Sequence, residues 1–236
     1  MNDELDIFMG IVKSYDLTIP SLKRKYDHTF RVVDYASKIA KSINLDERLY
    51  KDVCVAALFH DLGRFPQFST YQTFIDLKSF DHGDKSYSML KELNYNNKNV
   101  LSAIKNHNKY KIEDGLSEEE IIVSKVIRDA DKLDIMFKQG NEAYDDNFIL
   151  TEELFNCFTK EELISNSIKD IEGPNYSILR TLAFIYDFNY KYSLKLVKDN
   201  QLIEKKINIL YDVFKDSKLL DVKKMLNLYI ERKLEE

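Results

Sequence analysis

The sequence contains no tryptophan, two cysteines, three prolines and six glycines in 236 residues. Each shortage excludes something. With so little Pro and Gly, the tight turns of barrels and sandwiches are hard to place, and helices joined by short polar loops are favoured. Cys54 and Cys157 are too few and too isolated to form a disulfide framework. Cys54 lies in the apolar run Val53–Phe59 and reads as a core thiol. An excess of basic charge is also lacking: the net charge is −5, no general footprint for a nucleic-acid backbone, so nucleic acid is a minor candidate as partner. Lys23-Arg24-Lys25 is a local basic cluster, and most such triplets are solvated helix surface. No apolar stretch approaches the roughly eighteen residues that a membrane span requires. The opening Met-Asn-Asp-Glu-Leu-Asp lacks the basic and apolar regions of a signal peptide. The expectation is a cytoplasmic chain with no membrane partner.

What is present is helical. Apolar residues make up 44%, with 15 Tyr and 14 Phe, enough for one substantial core or a core domain with a helical appendage. Residues 3–16 form a first amphipathic pattern, and Pro20-Ser21 opens a second helix. In that helix His28, Val32, Tyr35, Ala36, Ile39 and Ile43 share one face. A third helix is predicted from Asp46 to Leu62, with Val53, Ala56, Ala57 and His60 on one face and Gly63 ending it in a left-handed cap. Residues 64–81 lack clean periodicity and read as a structured loop with one helical turn, able to cover a site. Helices follow over 82–94 and 97–107, then a polar turn over 108–116. Ser117-Glu118-Glu119-Glu120 makes an acidic start for a helix reaching Phe137, in which Ile127, Asp131 and Ile135 share a face. The segment 140–150 is the expected boundary, with further helices near 151–169, 177–198, 201–214 and 218–235. Strand-like alternation is lacking. The fold expected is all-α: a core over 1–140 and a helical extension over 141–236 packed on it.

All four histidines, His28, His60, His82 and His107, fall in the first half of the chain. Asp61 follows His60 directly, and an acidic cluster, Asp129-Ala130-Asp131-Lys132-Leu133-Asp134, follows later. Neutral imidazole and carboxylate are the ligands that divalent transition metals prefer. Asp61 falls on the last turn of its helix, where the dipole disfavours a carboxylate by roughly 0.3–1 kcal/mol. Partial burial adds a loss of hydration of several kcal/mol. A bound divalent cation would offset both; so would Arg31 or Arg64. Taken singly, these residues have ordinary readings. His28 alone is a hydrogen-bonded core histidine, and Asp61 alone a surface or capping residue. Asp131 beside Lys132 is half of a surface ion pair, and Lys132 and Arg64 are surface cations. Four inward polar groups from three helices more often make a site.

The order His28 … His60-Asp61 … Asp131 resembles the signature of the HD-domain metal-dependent phosphohydrolase superfamily. Arg31 three residues after the first His, Leu-Phe-His-Asp-Leu-Gly at 58–63 and Ala-Asp-Lys-Leu-Asp at 130–134 strengthen the likeness, which spans about residues 20–140. It implies an all-helical core with His28, His60, Asp61 and Asp131 around one metal, and Asp129 as a supporting acid. His82 and His107 either complete a second metal bridged by Asp61, or His82 acts as proton donor or phosphate contact. Mn, Fe, Co, Ni or Zn all suit such a set, as one ion or two. The implied activity is hydrolysis of a phosphate ester or anhydride in a nucleotide or similar small molecule by metal-activated water. Lys132, then Arg64 and Lys85, would offset charge on the phosphoryl oxygens, and His82 or His107 would protonate the leaving group. The Glu-Asp pair of alarmone hydrolases, the Gly-Tyr-Pro of cyclic-dinucleotide phosphodiesterases and the extra histidines of deoxynucleoside triphosphatases are all missing. Two other readings remain open: a non-catalytic module that senses a metal or nucleotide, and a di-iron oxygenase on the same scaffold. The helices after 150 would form a lid, cover the core or make a homodimer interface.

Overall fold

The structure, a computed structural model, describes residues 2–138, 142–143, 148–165, 168 and 173–236. Among these residues it is all-α, with helices and no strand. The chain divides into two compact units, Met1–Asp131 and Lys132–Glu236. The boundary segment expected at 140–150 lies largely outside the described residues, as does the end of the helix expected over 151–169.

The first unit holds α1 (Asn2–Val12), α2 (Pro20–Ser42), α3 (Glu47–Phe59), α4 (Arg64–Tyr71), α5 (His82–Glu92) and α6 (Lys98–Asn106). It also holds the first two-thirds of α7 (Glu118–Lys138), which runs across the division. The helix starts follow local chemistry. Pro20 occupies the first turn of α2, where its missing N–H costs nothing. Asp46, Asp81 and Asn97 each accept a backbone N–H three residues on, capping α3, α5 and α6. The α2 stripe behaves as its spacing predicts: His28, Val32, Ala36 and Ile39 are buried. Helix α3 is enclosed on every side from Asp52 to Phe59, packing on α1, α2 and α6. A cluster of aromatic rings, Phe8 against Tyr26, Phe30, Phe59 and Phe65, closes one side of this core.

Two local expectations need correction. Gly63 is not a left-handed cap; its φ is −63° and ψ −18°. The chain turns through His60–Gly63 straight into α4, and glycine is needed there for another reason. A Cβ on Gly63 would stand 2.5 Å from the His82 carbonyl oxygen. The segment 64–81 is more ordered than its pattern predicts. It holds the two-turn helix α4, then a strap over 72–81 with the 3-10 turn Asp76–Lys78.

The second unit contains α8 (Glu152–Thr159), α9 (Pro174–Ala183), α10 (Lys191–Asp199), α11 (Leu202–Phe214) and α12 (Lys218–Glu235). Helix α12 packs on α8, α10 and α11, burying Leu219, Val222, Leu226 and Ile230. The single helix expected over 177–198 is instead two, separated by the 3-10 turn Phe184–Asp187 and extended backbone at Phe188. Every residue of the run Phe184–Tyr190 is a weak helix former, and Ile185 and Phe188 are buried by leaving the helical path.

Candidate metal centre

The donors come from the ends and inner faces of five helices in the first unit. His28 projects from α2, and His60 and Asp61 follow the end of α3. His82 opens α5, His107 caps α6 and Asp131 lies on α7. His28, His60, Asp61, His82 and His107 are all buried.

They gather in two groups that share Asp61. On one side His28 Nε2 lies 3.3 Å from His60 Nε2, 3.1 Å from Asp131 Oδ1 and 3.4 Å from Asp61 Oδ2. His60 Nε2 is 3.7 Å from Asp61 Oδ2 and 3.9 Å from Asp131 Oδ1. On the other side His82 Nε2 and His107 Nε2 are 3.0 Å apart, and 3.4 and 3.7 Å from Asp61 Oδ1. One carboxylate thus turns a different oxygen to each group. The donor atoms of His28, His60 and Asp131, and those of His60, Asp61 and His107, each lie close enough together to share an ion.

Local backbone explains the orientation of the rings. His60 Nδ1 donates to the Ala57 carbonyl and His107 Nδ1 to that of Ile104, both at 2.7 Å. Each histidine caps its helix and satisfies a carbonyl that the helix end leaves over. The same bond fixes the tautomer and presents Nε2 to the interior. His82 donates Nδ1 to Asp76 Oδ2 at 2.7 Å. Ser86 ties the pieces together: its hydroxyl accepts from the Gly63 N–H and lies 2.8 Å from the carbonyls of His60 and His82.

The electrostatics follow from burial. Desolvation pushes His60 down to about 3, and His82 to about 4 against the opposing pull of Asp76. Both rings are neutral near pH 7. Burial would raise the Asp61 carboxyl, but Lys25, followed by the surrounding histidines, holds it well below its ordinary range. Asp131 is likewise held low, by His28 against burial. A cation suits these residues for a simple reason. His82 and His107 have both committed Nδ1–H elsewhere, so in the neutral state their Nε2 lone pairs face each other at 3.0 Å. A shared positive charge removes that repulsion. The mixed nitrogen and oxygen set matches a divalent transition metal.

The expected cations are placed as follows. Arg64 Nε lies 3.4 Å from Asp61 Oδ1; it is buried and makes no hydrogen bond. Arg64 Nη1 is engaged by Gln67, the Phe74 carbonyl and Asp76. Lys132 Nζ is 2.7 Å from Asp187 Oδ2 and 5.9 Å from the centre of the Phe184 ring, within the second unit. Lys85 lies on α5, its Cβ against Gly63. Asp129 is fully buried and outside both donor groups found among the described residues.

Sequence reasoning missed Lys25 and Asp76. Lys25 Nζ is 2.6 Å from Asp61 Oδ2. It sits three residues before His28, on the same face of α2, and that spacing was the available signal. Asp76 lies in a segment without periodicity, where no pattern singles it out.

Residues 26–136 match the family model of the HD domain. The chain carries an HD domain. All six donors and Asp76 fall inside the matched segment, and the likeness read from His28, His60-Asp61 and Asp131 holds. The match supports the HD-domain superfamily recognised in the sequence. No curated protein and no solved structure matches the chain. No helix among the described residues is long and apolar enough to cross a membrane.

Proposed function

We propose that this HD-domain chain hydrolyses a phosphate ester or anhydride of a nucleotide or similar small molecule, with two divalent transition-metal ions at the site. The observation that carries the reading is Asp61, with one oxygen toward His28, His60 and Asp131 and the other toward His82 and His107. His28, His60, Asp131 and Asp61 Oδ2 would hold one ion; His82, His107 and Asp61 Oδ1 the other. Bound ions of this kind bring the pKa of coordinated water toward 7 and neutralise phosphoryl charge.

The chain's own residues supply the rest. Arg64 Nε, 3.4 Å from Asp61 Oδ1, is a buried donor that makes no hydrogen bond, and would be available to a phosphoryl oxygen beside Asp61. Lys25 holds Asp61 Oδ2, the oxygen assigned to the first ion. Were that oxygen to ligate, Lys25 would be placed to serve as a second cation for the phosphate. To serve a phosphate oxygen, Lys132 would have to give up its Asp187 partner. The donor imidazoles are buried. With a single ion bound, His82 would serve as proton donor to the leaving group only once its Nε2 is protonated, a form that Asp76 at Nδ1 favours and burial opposes.

The test is phosphate release by the purified chain from a nucleotide and phosphate-ester panel with added Mn²⁺. Turnover abolished by chelation and restored by metal is the expected result. No release, together with ligand-dependent thermal shifts, would replace the hydrolase with a non-catalytic sensor. Bound iron with oxygen consumption would replace it with a di-iron oxygenase.

A further inference from the structure

His60 and His107 take their orientation from their own helices, through carbonyls three residues back. His82 has no such resource. It is the first residue of α5, so no helical turn precedes it to offer a carbonyl. A separate element supplies the acceptor: Asp76, on the strap over 72–81, reaches His82 Nδ1 at 2.7 Å.

The strap is itself anchored. Asp76 Oδ1 accepts from Gln67 Nε2 at 2.8 Å and Arg64 Nη1 at 3.0 Å. Gln67 is fully buried, and its amide nitrogen is also within hydrogen-bond distance of Ser79 Oγ and the Phe80 carbonyl. Asn108, next to His107, adds a donor to Asp76 Oδ2 at 3.3 Å. The two oxygens of Asp76 thus divide their work: Oδ1 fastens the strap to α4, and Oδ2 sets the His82 ring. A carboxylate behind a ligating imidazole fixes the tautomer and raises ligand basicity, and losing it typically lowers metal affinity about 10–100-fold.

We propose that Asp76 is the positioning residue of the second cation position, so that a cation binds among His82, His107 and Asp61 Oδ1 only when the 72–81 strap is seated. This rests on the two-cation reading above. It makes an irregular segment the controlling element of one ion through Asp76, whereas the contacts among His28, His60 and Asp131 do not pass through Asp76. The strap meets that side through Phe74, whose ring centre lies 5.6 Å from Lys25 Nζ.

Cobalt(II) titration of the whole chain by calorimetry, with hydrogen exchange of residues 72–81 followed in parallel, tests the proposal. Asp76→Asn is the informative variant. Its amide oxygen can still accept from Gln67 and Arg64, but its NH₂ cannot accept from His82 Nδ1–H. The wild-type chain should bind two cobalt ions, the second slowing exchange across 72–81. Asp76→Asn should keep the first at wild-type affinity and weaken the second about 10–100-fold, and Asp76→Glu should recover part of the loss. A second ion unchanged in Asp76→Asn, or both ions weakened alike, overturns the proposal while the two-cation reading survives. A wild-type chain that binds a single cobalt overturns both. Should Asp76→Asn fail to fold, exchange on the wild-type chain decides alone: no slowing at 72–81 with the second equivalent overturns the proposal.

Discussion

Two imidazole nitrogens stand 3.0 Å apart, each ring donating from Nδ1 to another partner, so that with both rings neutral the facing electron pairs repel. That tension is a residue-scale fact with residue-scale consequences. Asp61 stands between both pairs of rings, and no other carboxylate there can replace its two-sided reach. Asp61→Ala should therefore lose metal and turnover together, with an affinity drop beyond the roughly 10–100-fold of losing an outer partner. Metal analysis after dialysis checks this, and stoichiometric metal in the variant would refute the ligand assignment. The neutral rings also set a pH dependence. His60 and His82 titrate at about 3 and about 4 when folded, against 6.5 for a free imidazole. As pH falls below about 6.5 the unfolded metal-free chain gains protons that the folded chain refuses. Stability is then whole above about pH 7 and declines from about 6.5 to 4, by about 3 kcal/mol for His82 alone. Urea midpoints of chelator-treated protein at pH 7.5 and 5 should differ in that direction; equal midpoints would contradict it.

At the scale of elements, the turn between α3 and α4 is a tight joint. Gly63→Ala would press a methyl group to 2.5 Å from the His82 carbonyl and 3.0 Å from Lys85 Cβ. Backbone cannot yield as a flexible side chain does, so the expected cost is at least about 1–3 kcal/mol. Thermal denaturation of the variant checks this, and an unchanged midpoint would show that α5 is free to shift. Gly63 also illustrates what sequence can and cannot convey. Its position at the end of α3 was legible, but its role was not, because a close approach by α5 leaves no mark on residues 60–66. The α2 stripe and the His60-Asp61 step were legible because 3.6-residue periodicity and helix ends are local properties. The strap was not, since its order comes from Gln67, Arg64 and Asp76 hydrogen-bonding across ten residues or so of irregular backbone. The break between α9 and α10 was overlooked for a related reason: no Pro or Gly marks it, only a run of weak helix formers.

For the molecule as a whole, ligand binding and folding are linked. Any cation that binds the folded donors and not the unfolded chain should stabilise it by about 2.7 kcal/mol per site at 100 times Kd. Calorimetric melting with and without excess Mn²⁺ should display that rise, and a midpoint indifferent to metal would count against a preformed centre. Lys132 and Asp187 pair within the second unit. Lys132→Ala should retain both ions and lose turnover; a variant that turns over normally would leave the lysine a purely structural partner of Asp187. The division at Asp131 and Lys132 carries a practical warning. A single peptide bond two-thirds of the way along α7 joins the candidate metal donor Asp131 to Lys132. Cutting the gene where compactness suggests would sever α7 immediately after the last carboxylate and leave Asp131 at a fraying chain end, so a fragment chosen for neat packing would be the wrong reagent for studying the chemistry.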